Sequence, residues 1–241
     1  MKNRSAIIKV LAILAGVVVV SALSVGAYFF YNKNIIEKSV INNDGEYVVL
    51  LHGLGRTSFS MNKLGKQLAV NGYRVINIDY PSKSDSVENL VENFFKKELA
   101  EKYIDQDEKI NFVTHSMGGI MVRYFLSNND LENVGRVVML APPNKGSESA
   151  DFWSNNKIGG YVMGPALDDL TTDENSFVNM LLELDCEVGV VAGEYDGKVD
   201  VERTKLDEMT DFCVVPNFHT WIMNDDKVID VIINFLSKGK F

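Results

Sequence analysis

The chain has 241 residues, 46% of them hydrophobic and 24% charged, with only five prolines and eighteen glycines; this excludes a mainly disordered, collagen-like or low-complexity protein. The formal net charge of −9 is unevenly placed: residues 1–40 hold Lys2, Arg4, Lys9, Lys33 and Lys38 against Glu37 alone, a net of +4, which leaves −13 on the remainder. A remainder that acidic lacks the clustered Lys and Arg that phosphate contacts need, so nucleic acid is not an expected partner.

Residues 10–31 form a run of 22 without a charge. As a helix rising ~1.5 Å per residue the run spans about 33 Å, enough for a hydrocarbon core of roughly 30 Å. Tyr28 and Tyr31 stand at its far end, where aromatic side chains favour the interface. Lys2, Arg4 and Lys9 precede the run, and Lys33 and Lys38 follow it. Counting the N-terminal amine, the positive-inside bias puts residues 1–9 in the cytoplasm, 10–31 across the membrane as a signal-anchor and everything later outside. Residues 32–45 then read as a linker. The rival reading is a cleaved signal peptide, with small residues at Val25, Gly26 and Ala27 and a secreted or periplasmic product. Against it, the run continues through Phe29 and Phe30 and exceeds the usual h-region of about 7–15 residues. Both readings export the rest of the chain. There a disulfide between Cys186 and Cys213 is permitted, and two buried thiols is the other reading.

From residue 46 onward strands and helices alternate. Apolar, β-rich runs at 46–51, 73–78, 109–113, 134–140, 187–192 and 212–215 read as six strands. Helical periods lie at 61–71, 85–103, 117–126, 201–209 and 227–236, with Val87, Leu90, Val91, Phe94, Phe95 and Leu99 on one face of the second. Residues 141–186 form a longer insertion, at first rich in Gly, Pro, Asn and Ser and then partly helical. Short apolar strands alternating with amphipathic helices predict an α/β protein, with a mostly parallel sheet covered on both faces. No linker divides residues 46–241, so they read as one domain. In such sheets the working site lies beyond the carboxyl ends of the strands.

Four strand ends carry chemistry. After the third strand, Thr114-His115-Ser116-Met117-Gly118-Gly119 follows the nucleophile-elbow pattern G-x-S-x-G, with Thr114 in place of the first glycine. The tight turn exposes the serine oxygen, and the following helix aims backbone N–H groups at it. After the first strand, His52-Gly53-Leu54-Gly55 offers a second inward N–H. The candidate oxyanion donors are therefore the backbone N–H groups of Leu54 and Met117, and His52 reads as a structural residue holding its loop. A catalytic serine needs a base. His115 adjoins Ser116 and points the wrong way, His52 lies upstream, and His219 follows the last strand in the chain order Ser, Asp, His. Asp196, in a turn after the fifth strand with Gly197 beside it, best fits the acid that orients the base, with Asp200 and Glu194 as competitors.

The stretches VVLLHGLG, THSMGG, APPNKGSESAD and YDGKV, with the late His219, resemble the α/β-hydrolases, specifically the small bacterial lipases and esterases. The resemblance implies a minimal α/β-hydrolase with about six strands, no metal or other cofactor, and serine-ester hydrolysis through Ser116, Asp196 and His219. Asn144 stands where many lipases have histidine, so no role of that histidine carries over. The expected activity is cleavage of a carboxylic ester, of a lipid or another hydrophobic molecule; Phe152, Trp153, Tyr161, Val162 and Met163 of the insertion read either as an apolar lid or as ordinary packing of a connecting helix pair. Acyl transfer with the same three residues and a non-catalytic, membrane-anchored binding protein are the alternatives. Three scattered histidines without H-E-x-x-H speak against zinc, and Gly65-Lys66 lacks the rest of a phosphate loop.

Overall fold

The computed structural model describes residues 2–103 and 107–241. Helix α1 (Lys2–Asn42) leads into strand β1 (Tyr47–Leu51), α2 (Asn62–Val70) and β2 (Arg74–Ile78). Helices α3 (Val87–Leu90) and α4 (Lys96–Lys102) follow, joined by a π-helical turn at Val91–Phe95. Next come β3 (Ile110–His115), α5 (Met117–Asn128) and β4 (Val134–Leu140). The insertion holds α6 (Glu148–Ser154), α7 (Lys157–Met163), a 3₁₀ turn at Pro165–Leu170 and α8 (Phe177–Met180). β5 (Val188–Gly193), β6 (Asp211–Val215) and α9 (Asp226–Lys238) close the chain.

The six strands form one parallel sheet in the order β2-β1-β3-β4-β5-β6. Every residue of β1, β3 and β5 is buried, which is why these strands are continuous apolar runs and not alternating ones. Tyr47, Val49 and Leu51 face a core completed by the α3–α4 segment, α5 and the insertion. Val48 and Leu50 face the other core, completed by α1, α2 and α9. α9 shows how local signals set an element. The Asp225 side chain accepts from the N–H groups of Lys227 and Val228 at its start, and Gly239 ends it in the left-handed conformation. The strand order reverses between β2-β1 and β3-β4, so the crevice at the carboxyl ends of β1 and β3 is the natural place for a site.

Three expectations need correction. The segment 32–45, read as a linker, is largely helix, because α1 continues to Asn42. Asn32, Ile36 and Ser39 form a buried stripe on its inner side. Ser39 Oγ accepts from the Val75 N–H at 2.9 Å, which covers part of the open edge of β2. Gly65 of α2 makes room: a Cβ there would lie 2.8 Å from Ile36 Cδ1. The helix expected at 85–103 contains the π turn, and the wider turn leaves Phe94 exposed while Val91, Phe95 and Leu99 are buried. The helix expected at 201–209 is only a 3₁₀ turn at Val201–Thr204. The carbonyls that a continuing helix needs are taken elsewhere: Arg203 O accepts from Lys145 N at 2.9 Å and Thr204 O from Asn144 Nδ2 at 2.8 Å. Cys186 and Cys213 are unpaired, half-buried thiols, each pushed up to about 11 by burial.

Candidate active site

Each part of the site is delivered by the carboxyl end of a different strand. β1 runs into His52-Gly53-Leu54, β3 into Ser116, β5 into the turn with Asp196, and β6 into the loop with His219. Ser116 has φ 54° and ψ −125°, a conformation that L-residues avoid. Strain of this kind costs on the order of 1–3 kcal/mol and persists only where its surroundings impose it. Here the Ser116 N–H donates to Leu140 O at 2.9 Å, and α5 packs hard against β1. A Cβ on Gly118 would lie 2.7 Å from Leu51 O, and one on Gly119 would lie 3.2 Å from Thr114 Oγ1. The two glycines after Ser116 thus let helix and strand approach, and Thr114 is accommodated with its side chain fully buried.

His219 Nε2 lies 3.1 Å from Ser116 Oγ, and His219 Nδ1 lies 2.7 Å from Asp196 Oδ2. The two side chains are only 7% and 1% exposed, so water does not compete for this contact. Asp196 Oδ1 accepts from the N–H groups of Lys198 at 2.8 Å and Val199 at 3.0 Å, which pins the carboxylate and leaves Oδ2 for the ring. A carboxylate only accepts hydrogen bonds, so Nδ1 carries the imidazole proton and Nε2 faces Ser116 as an acceptor. Asp200 is occupied elsewhere: its Oδ1 accepts from Glu202 N at 2.9 Å and starts the 3₁₀ turn. Glu194 engages Tyr195.

Leu54 lines a cleft of about 100 Å³ together with Ser116 and His219. Gly53 lies so close that a Cβ on it would stand 3.0 Å from Ser116 Cβ. Met117 opens α5, where the first backbone N–H groups have no partner within the helix and carry its positive end. The arrangement can therefore take a proton from Ser116 Oγ and offer N–H groups to a negative charge developing beside it. Ala150, Trp153, Met163, Leu167 and Leu170 of the insertion supply an apolar wall to the same cleft.

The model of the alpha/beta hydrolase fold matches residues 46–182. The chain belongs to the α/β-hydrolase family. Among solved structures it is similar to Bacillus licheniformis lipase BlEst2. Against the mature form the TM-score is 0.63 at 20% identity, over 83% of this chain and 95% of that one. Against the propeptide form it is 0.66 at 20% identity, over 81% of this chain and 51% of that one, so the chain spans about half of that longer form. The esterase RhEst1 from a Rhodococcus species gives 0.57 at 16% identity, over 82% and 92%. A membrane phospholipase A described as a bacterial virulence factor gives 0.57 at 13% identity, over 94% and 98%. At such identities the likeness to these structures is one of fold. No curated protein sequence matches the chain.

In this α/β-hydrolase the other two histidines brace the site. His52 is fully buried and stacked on Tyr80, with Nδ1 donating to Gly53 O at 3.0 Å. The Tyr80 hydroxyl donates in turn to His52 O. His115 turns its ring to the loop bearing His219, and its Nε2 donates to His219 O at 2.9 Å. The sequence contains no signal for that contact, because it joins residues 104 apart. Asn144 lies within a structural brace. Its Nδ2 donates to Thr204 O at 2.8 Å, and its carbonyl accepts from Arg123 Nη1 at 3.1 Å. Arg123 also donates to Leu181 O at 3.1 Å, tying the insertion to α5, and burial lowers its guanidinium to about 10.

Burial holds His115 well below the usual histidine range, and burial lowers His52 as well. Each ring therefore takes up its proton at a lower pH in the folded protein than in the unfolded chain, where a histidine does so near pH 6.5. The unfolded state then binds more protons, so stability is full above that pH and falls as pH drops below it, by up to about 1.4 kcal/mol per pH unit for each ring. Urea midpoints of the detergent-solubilised chain should fall as pH is lowered from neutrality to about 5, and His115→Gln should flatten that fall. A wild-type midpoint constant across the window contradicts the expected linkage.

Proposed function

We propose that this α/β-hydrolase is a serine hydrolase that cleaves a carboxylic ester of a lipid or another hydrophobic molecule. The single observation that carries the reading is the buried row from Ser116 Oγ through His219 to Asp196, with Ser116 held at positive φ. Ser116 Oγ attacks the acyl carbonyl while His219 Nε2 takes its proton, and Asp196 stabilises the imidazolium. The N–H groups of Leu54 and Met117 hold the oxyanion. His219 then protonates the leaving alcohol. Water, deprotonated by the same nitrogen, cleaves the acyl-enzyme and releases the acid. The apolar cleft wall and the lipase, esterase and phospholipase relatives in the fold support a hydrophobic ester.

The reading includes a membrane anchor, with residues 1–9 cytoplasmic and the catalytic domain outside. It is supported by the segment Ile13–Asn42, which is long and apolar enough to cross a bilayer. It is supported also by the unbroken helix through Val25, Gly26 and Ala27, whose last turns pack on the domain. A fluorophosphonate probe should label the wild-type chain in detergent and leave Ser116→Ala unlabelled. A folded wild type that resists the probe would favour the non-catalytic binding protein.

A further inference from the structure

α1 does not hang loosely from the domain. With Asn32, Ile36 and Ser39 buried against it, the helix fixes how the domain meets the membrane. Tyr28 and Phe29, within a turn of the end of the uncharged run, lie beside the loops around the catalytic cleft. They share a cavity of about 550 Å³ with Arg56, Phe59 and Trp221, and the Phe29 ring packs on Phe59. Because the run ends at Tyr31, these loops stand at the level of the lipid headgroups.

The same loops display aromatic side chains to the outside. Phe59 is 45% exposed, Trp221 61%, Phe218 60% and Tyr195 50%. The rings of Tyr195 and Phe218 are 5.7 Å apart. The loops are cross-tied, with Arg56 Nη2 donating to Thr220 O at 2.9 Å and Lys63 Nζ to Asn224 O at 2.8 Å. His219 sits on this rim between Phe218 and Trp221, and Arg56 borders both the cavity and the catalytic cleft. On the side of the rim next to α1, charge agrees with the placement, while at the other end the exposed Glu194 engages Tyr195. Among the described residues the cavity beside α1 is lined by Arg56 and Lys63 and by no acidic residue, although the domain as a whole is strongly acidic. Lys63 is paired with Asp226 at 2.8 Å, and Lys66 lies over the Tyr31 ring, 5.1 Å from its centre. Exposed aromatic side chains on the loops that carry Arg56, Asp196 and His219, beside basic groups and a membrane-crossing helix, match an interfacial contact.

We propose that the rim formed by Phe59, Tyr195, Phe218 and Trp221 docks into the outer leaflet of the same bilayer that α1 crosses, so that the cleft opens at the headgroups and takes its ester from that membrane. The inference rests on the hydrolase and anchor readings above. It differs from lid opening, because the docking face is rigid and is set by α1.

The chain has two tryptophans, Trp153 and Trp221, so Trp153→Phe leaves Trp221 as the sole emitter. That full-length variant is reconstituted into phosphatidylcholine–phosphatidylglycerol vesicles containing phosphatidylcholine brominated near the top of its acyl chains. Trp221 emission should be lost to the bromines and shielded from aqueous iodide. Trp221→Ser should lower hydrolysis of a long-chain ester embedded in the vesicles, because interfacial binding scales with the apolar area buried, with p-nitrophenyl butyrate hydrolysis in detergent unchanged. Protein that floats with the vesicles while Trp221 stays unquenched and open to iodide overturns the proposal. So does protein that fails to float, which removes the anchor reading too. Fluorophosphonate labelling of Ser116 in detergent judges the hydrolase reading apart from both outcomes.

Discussion

His219→Ala should lower kcat on a soluble activated ester by about 10⁴-fold or more, the scale on which loss of a coupled base acts. Only His219 presents a ring nitrogen to Ser116 Oγ, at 3.1 Å. Neither of the other two imidazoles makes that contact. His52 is locked between Gly53 O and the Tyr80 ring, and the Nε2 of His115 is committed to the His219 carbonyl. That last bond uses the backbone of residue 219, so it survives the substitution and the loop keeps its place. KM should move little, because the apolar wall of the cleft comes from the insertion and not from His219. Steady-state kinetics on a p-nitrophenyl ester, with circular dichroism to establish folding, decide the matter. A loss under tenfold in a folded variant would assign the base to another group.

The parallel sheet was legible because its central strands are buried on both faces. A run such as VVLL in β1 or VGVVA in β5 has no other sensible reading between turn signals. The tight turn at Ser116 was legible for a related reason: such a turn needs small residues next to it in sequence, and Gly118 and Gly119 stand there. What escaped depends on contacts between distant segments. The stripe Asn32, Ile36, Ser39 is too polar to announce a buried helix face, and it acquires that role only against Gly65 and the edge of β2. The 201–209 segment has a helical period, yet Lys145 and Asn144 claim its carbonyls from sixty residues away. The π turn at Val91–Phe95 is invisible to a periodicity of 3.6 because it changes the period itself. The bond from His115 to the His219 carbonyl belongs to the same class, and it places an apparent bystander in support of the loop that bears His219.

The acid is where sequence left a real contest, and the geometry yields an unequal pair of outcomes. Asp196→Asn should lower kcat by roughly 10³–10⁴-fold, and the cause is the tautomer and not the lost charge alone. The N–H groups of Lys198 and Val199 both donate to one oxygen of residue 196. An asparagine there must keep its carbonyl oxygen toward those donors, which turns its NH₂ toward His219 Nδ1. Nδ1 then has to accept, the ring proton moves to Nε2, and the nitrogen facing Ser116 can no longer take a proton. Asp200→Asn changes none of this. Asp200 starts a 3₁₀ turn through Glu202 N, and asparagine is also a good cap, so activity should stay within about threefold of wild type. Shortening Lys198 or Val199 to alanine leaves both N–H donors in place, so the amide stays oriented and neither change should mimic Asp196→Asn. If Asp200→Asn proves the severe variant and Asp196→Asn the mild one, the imidazole is held by a different carboxylate.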